Sequence, residues 1–171
     1  MPVIHLVEGP VGAGKSTYAA KLGAQHAAPR LILDDWMATL FRADRPDKDV
    51  MVWYMERKRR CIEQIWNVAC DLVDAGSDVV LELGLIRYQD RAEFYSRVDA
   101  AGYQLKVHVL DAPREVRRER VHERNAAQGS TFFMVVPDEI FELASDLWQA
   151  PDEVECMERD ICLISTHSKN G

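Results

Sequence analysis

Short apolar runs alternate along the chain with longer stretches whose apolar residues recur every three or four positions. The runs at 3–8, 30–33, 78–83, 104–110 and 160–164 are rich in Val, Ile or Leu and bounded by turn residues, which predicts five strands. Helical spacing marks the segments near 15–27, 50–75, 88–101, 113–127 and 138–148. The second of these would be about 39 Å long if straight, and Cys61, Ile62, Ile65, Trp66, Ala69, Cys70 and Val73 share one face of it. Parallel neighbouring strands need a crossover, usually a helix. The alternation therefore predicts an α/β fold of three layers, a mostly parallel five-stranded sheet with helices against both faces. The segment 41–49, charged and interrupted by Pro46, is expected to be an exposed loop, and 166–171 a frayed tail.

At roughly 100 to 200 residues per domain, the 171 residues make one domain, 1–171. Apolar residues are 47% and charged ones 29%, enough for a sizeable core under a well-solvated surface. With 28 acidic against 21 basic side chains the net charge is −7, which disfavours a protein that coats nucleic acid or an anionic membrane. No stretch approaches the ~18 apolar residues of a membrane span, and the first residues show neither a basic leader nor a small-residue cleavage site, so a cytoplasmic protein is expected. Cys61, Cys70, Cys156 and Cys162 match no zinc-binding spacing and read as small buried hydrophobes.

The first run leads directly into Gly9-Pro10-Val11-Gly12-Ala13-Gly14-Lys15-Ser16-Thr17 and then into a helix. This satisfies G-x-x-x-x-G-K-[ST], the P-loop, in the strand-to-helix setting it requires, and the composition of the chain would yield only about 0.001 such matches by chance. Successive backbone N–H groups must curl around phosphate oxygens with no side chain in the way, which Gly12 and Gly14 permit. The helix N-terminus adds partial positive charge, Lys15 reaches the β- and γ-phosphates, and the Ser16 hydroxyl can ligate Mg²⁺. ATP and Mg²⁺ are thus the expected cofactors, held by Gly9, Gly12, Ala13, Gly14, Lys15, Ser16 and Thr17. No [NT]-K-x-D sequence is present to read guanine, and the one D-x-x-G, at 99–102, closes a predicted helix that Gly102 would cap. A GTPase is disfavoured on that ground. The short chain and the lack of an apolar run ending in Asp-Glu disfavour a ring-forming ATPase, which leaves a compact kinase-like phosphotransferase.

Ligands of open α/β sheets lie outside the carboxyl ends of the strands, and three acidic sites fall there. Asp34 and Asp35 follow the second run, Glu82 closes the third, and Asp111 follows the fourth. A hydroxyl that receives a phosphoryl group is helped by a carboxylate able to take its proton, and Mg²⁺ is often positioned through another. Either Asp34 or Asp35 can be that base, or can cap a helix ahead of Trp36. Glu82, together with Ser16, is the candidate metal carboxylate, and Asp111 can simply start the next helix. Then come Arg114, Arg117, Arg118, Arg120 and Arg124. On a helix Arg117, Arg120 and Arg124 fall within about 60° of one another, apart from the stripe of Glu115, Glu119 and Glu123. Like charges gathered in this way gain nothing from each other and make sense facing an anion, the alternative being a solvated face with acidic tertiary partners.

Other features carry less chemistry. Arg57-Lys58-Arg59-Arg60 points around most of a helix and forms no single docking face. His5 and His108 lie inside predicted strands and read as hydrogen-bonded core residues, Trp53 and Tyr54 as packing, and Phe132, Phe133 and Met134 as packing, under a lid hinge or in the core.

Taken together these residues resemble the P-loop kinases of the polynucleotide kinase type, a group similar also to zeta-toxin kinases and chloramphenicol phosphotransferase. The likeness covers about 3–153. It rests on the Gly-Pro-Val-Gly-Ala-Gly-Lys-Ser-Thr loop, Asp34-Asp35-Trp36, Glu82 with Arg91 after it, and Asp111-Ala-Pro-Arg leading to Arg120 and Arg124, with weaker matches at Val136-Pro137-Asp138 and 148–153. The resemblance implies a P-loop NTPase fold, Asp34 as the acceptor base, and a helical lid at about 113–131 whose Arg120 and Arg124 lie over the phosphates. Two departures bear on the acceptor: polynucleotide kinases usually have arginine where this chain has Met37, and commonly Asp where it has Glu82. The expectation is an ATP- and Mg²⁺-dependent kinase for a small hydroxylated acceptor, with no membrane partner and with nucleic acid disfavoured but left open as a partner. The alternatives are a nucleic acid 5′-hydroxyl kinase and an ATP-binding switch with slow hydrolysis.

Overall fold

The computed structural model describes residues 1–128 and 135–166. Its strands are β1 (Val3–Glu8), β2 (Arg30–Ile32), β3 (Val79–Glu82), β4 (Gln104–Asp111) and β5 (Ile161–Ser165), in the order β2-β3-β1-β4-β5 with every neighbouring pair parallel. The helices are α1 (Lys15–His26), α2 (Leu33–Phe41), α3 (Val50–Asp74), α4 (Tyr88–Ala101), α5 (Arg114–Ala127), α6 (Asp138–Leu147) and α7 (Glu153–Glu158). The period of two along β1 decides which layer each residue joins. Ile4 and Leu6 belong to the core with Ile65, Trp66, Phe94 and Val98 of α3 and α4, whereas Val7, one step out of phase, joins Ala19 and Leu22 of α1. Burial on both faces is why β1 reads as a nearly continuous apolar run.

Most expected elements end within two residues of the observed bounds, and three differences matter. The chain turns from β2 straight into α2, so Asp34 and Asp35 stand in the first turn of a helix and not on an extended strand end. The signal was present: Leu33, Trp36, Met37, Leu40 and Phe41 have helical spacing, and Leu33 and Met37 are its buried pair. Most of the expected loop is otherwise irregular, with a 3-10 turn at Arg42–Asp44. Helix α7 is six residues long, too short for periodicity to reveal. Asp152 caps it by accepting the Glu155 N–H at 2.8 Å, and Glu155 docks it on α4, where it takes both the Nε and Nη2 donors of the fully buried Arg91 (2.7 and 2.8 Å) and the Tyr95 hydroxyl (2.9 Å).

The tail expectation is also corrected at its first residue, because Thr166 donates its N–H to the Asp111 carbonyl at 2.8 Å. Gly102 caps α4 as expected, at φ +73° with its N–H on the Asp99 carbonyl. Cys61 is buried and Cys70 and Cys156 are half-buried, but Cys162 is exposed, since it lies on the edge strand β5. No helix among the described residues is long and apolar enough to cross a membrane.

Candidate active site

The loop between β1 and α1 is packed from behind by α5. Gly12 has φ +79°, and a Cβ there would lie 2.6 Å from the Arg117 carbonyl oxygen, so glycine is required both by conformation and by the close approach. Arg117 is the strut of this contact. It is buried, and it donates to the carbonyls of Ala112 (3.0 Å) and Val11 (2.9 Å) and to Ser145 Oγ (3.0 Å). The expected arginine face is thereby divided, because Arg117 braces the loop through Nε and Nη1 and does not line the cleft. Lys15 turns back on the loop, with Nζ donating to the carbonyls of Gly9 (2.9 Å) and Pro10 (3.1 Å).

A cleft of about 850 Å³ opens in front of the loop and brings together Lys15, Ser16, Asp34, Glu82, Arg120 and Arg124, with Gly9, Gly12, Ala13, Gly14 and Thr17 in its wall. Ser16 Oγ lies 3.5 Å from Glu82 Oε2. This meeting follows from parity and topology, because Val80 and Glu82 share the α1 face of β3 and α1 begins beside the end of that strand. Burial pushes the Glu82 carboxyl up to about 7, assisted by the Asp34 charge and opposed by Lys15, Ser16 and Arg124. Glu8, one strand away, is fully buried; burial raises its pKa strongly and nearby Glu82 adds to the effect, opposed by Lys15, Arg91 and the Leu85 backbone. Two carboxyls that disfavour each other's charge thus underlie the loop.

Asp34 and Asp35 are both exposed, only Asp34 lines the cleft, and neither caps α2 through a side-chain hydrogen bond. The alternative of a helix cap is corrected for both: on a helix the two side chains diverge by about 100°, which leaves Asp35 in solvent.

Arg120 reaches the loop from α5, with Nη1 3.5 Å from the Gly12 carbonyl and 3.0 Å from Thr166 Oγ1, and Nη2 on the Thr166 carbonyl. Arg124 lines the cleft, and its Nε is buried without a hydrogen-bond partner among the described residues. Arg114 and Arg118 do find acidic partners, Glu142 and Asp146 of α6. The first half of the expected lid is therefore pinned to α6 and to the loop. Its last residues, 129–131, and Phe132, Phe133 and Met134 lie outside the described residues.

Met37 is buried, Arg91 is occupied by Glu155, and Asp111 and the 57–60 run lie away from the cleft wall; Arg57 stacks over Trp53 and Phe41. Lys21, Tyr18 and Thr166 also line the cleft and were not expected there. Lys21 was legible as the residue four positions after Thr17 on one helix face, whereas nothing local marks Thr166, which arrives from the far end of the chain.

Residues 4–145 match the family model described as an AAA domain. The chain belongs to that family. No curated protein matches it by sequence. Among solved structures, this AAA-domain chain resembles a presumed kinase from Chloroflexus aurantiacus (17% identity, TM-score 0.75, 97% of this chain and 89% of the other). It also resembles Kti12 from Chaetomium thermophilum in complex with ADP-AlF3 (16%, 0.69, 99% and 91%) and the Mycobacterium tuberculosis APS kinase CysC in complex with AMPPNP and APS (17%, 0.60, 96% and 88%). At such identities the likeness is one of fold, the α/β fold of P-loop NTPases.

Proposed function

We propose that this AAA-domain protein is a kinase that transfers the γ-phosphoryl group of ATP to a hydroxyl of a small acceptor. The observation that carries the reading is the meeting of Ser16 and Glu82 at 3.5 Å beside the loop, with Asp34 on the wall of the same cleft. A hydroxyl and a carboxylate at this spacing are a hard oxygen pair suited to Mg²⁺, so Ser16 and Glu82 would hold the cation. A cation held by these two residues would supply charge neutralisation to the transferring phosphate.

The chain's own groups account for the rest. Loop N–H groups and the α1 N-terminus bind the phosphates, and Lys15 exchanges its two carbonyl acceptors for phosphate oxygens. Arg124 supplies an unsatisfied donor, and Arg120 holds the Gly12 carbonyl side of the loop against Thr166. Asp34 takes the proton from the acceptor hydroxyl as it attacks. Buried Met37 offers no charge for a polynucleotide phosphate, which favours a small acceptor.

Transfer of labelled γ-phosphate should be followed across sugars, nucleosides, hydroxylated antibiotics and 5′-hydroxyl oligonucleotides. Transfer to a small acceptor is expected, falling by roughly 10² to 10⁴-fold in Asp34→Asn while nucleotide binding is kept. Transfer to oligonucleotides alone would make it a nucleic acid kinase, and nucleotide binding with no acceptor would make it a switch.

A further inference from the structure

At the end of the sheet opposite the P-loop, where the strands begin, a second cavity of about 560 Å³ is lined by His5, His26, Asp78, Lys106, His108 and Asp160. His5 projects from β1 on the α1 side, His26 ends α1, and Asp78 precedes β3. Asp78 Oδ1 accepts the Val3 N–H at 2.9 Å, which fixes the carboxylate so that Oδ2 lies 3.2 Å from His26 Nδ1 and 3.6 Å from His5 Nε2. One ligand atom from each of the three residues lies within 4.8 Å of the other two.

His5 is the telling member. It is 3% exposed, yet among the described residues its Nε2 has no partner within hydrogen-bond distance, Asp78 Oδ2 lying 3.6 Å away. Its Nδ1 is 3.1 Å from His108 Nε2, and His108 Nδ1 is 2.9 Å from the Tyr18 hydroxyl. Donation in either direction serves both contacts; with His5 Nδ1–H donating to His108 Nε2 and His108 Nδ1–H donating to the Tyr18 oxygen, His5 Nε2 keeps a lone pair, and this is the tautomer that a bound metal selects. A lone pair backed by donation from the other ring nitrogen is how a metal-bound imidazole is held.

The geometry points to a metal site separate from the nucleotide cleft, in which His5 Nε2, His26 Nδ1 and an oxygen of Asp78 bind a divalent transition metal such as Zn²⁺. Two imidazoles in the donor set select this class over Mg²⁺. Tetrahedral Zn²⁺ with bonds of about 2.0–2.2 Å sets its ligand atoms roughly 3.3–3.6 Å apart, so the two contacts made by Asp78 Oδ2 already have the required span. The fourth position faces the cavity, where the acid of Asp160 offsets the ammonium of Lys106. Helix α1 starts in the P-loop and ends at His26, so it joins the two sites directly.

Protein stripped with a chelator and titrated with Zn²⁺ by calorimetry, and with Co²⁺ by visible absorption, tests this without any assay of activity. One equivalent is expected to bind with a tetrahedral Co²⁺ spectrum, in the presence of millimolar Mg²⁺ and equally in Lys15→Ala. His26→Ala, at a half-exposed ring whose loss should leave the fold intact, and Asp78→Asn should each weaken binding tenfold or more. Zn²⁺ should perturb the imidazole resonances of His5 and His26 but not of the surface His122. Absence of saturable Zn²⁺ binding, unchanged affinity in His26→Ala, or perturbation of His122 alone would overturn the assignment.

Discussion

Replacing Glu82 with Gln should make the protein more stable at alkaline pH and change the shape of its pH-stability profile. The native carboxyl is 6% exposed and pushed up to about 7 by burial, against an ordinary value of 4.5. Such a group binds its proton more tightly folded than unfolded. Its stabilising contribution is full below pH 4.5, falls as pH rises, and is lost above pH 7. The interval between the two values converts to about 3 kcal/mol. Urea denaturation of both proteins from pH 4.5 to 8.5 gives the difference curve directly, in which the titrations of His5, His108 and the surface carboxylates cancel. The parent should lose about 3 kcal/mol relative to Glu82→Gln across that range, with most of the loss before pH 7. Any falling slope left in the variant belongs to Glu8, which both proteins retain. A difference curve flat to within 0.5 kcal/mol would refute the claim that Glu82 is held protonated by its surroundings.

The same proton competes with a cation, so affinity for a Mg²⁺-bound ATP analogue should rise about tenfold per pH unit below pH 7 and level off above it, and calorimetry should find this dependence absent in Glu82→Gln. Lys15→Ala should abolish phosphate binding in a nucleotide titration and also cost about 1 kcal/mol in thermal unfolding, because Nζ caps two loop carbonyls. Arg117→Ala should lower the melting temperature through loss of the brace under Val11 and Ala112, whereas Arg124→Ala should leave melting unchanged and lower turnover; the opposite ranking would return the brace to Arg124. Glu155→Ala leaves the Arg91 guanidinium buried and unpaired and should cost about 3–5 kcal/mol in denaturant unfolding, more than any surface arginine replacement.

Hydrophobic periodicity determined the five strands and most of the helices because each of those elements buries a continuous stripe or face that its own residues must supply. The P-loop was equally legible, since phosphate binding by backbone N–H groups constrains residue types at fixed, closely spaced positions. Sequence spacing could also bring Arg117, Arg120 and Arg124 to one helical face, but it could not say which of them turns inward. Packing of α5 against the loop decided that, and it made Arg117 a brace while Arg124 kept a donor without a partner among the described residues. Glu82 and Ser16 are 66 positions apart and meet only because β3 lies beside β1 in the sheet order. The His5, His26 and Asp78 cluster has the same origin, three residues from separate elements whose side chains converge where α1 ends over the sheet. Local pattern reports what a segment buries; what it meets depends on strand order and helix placement, which the free energy of the whole chain settles.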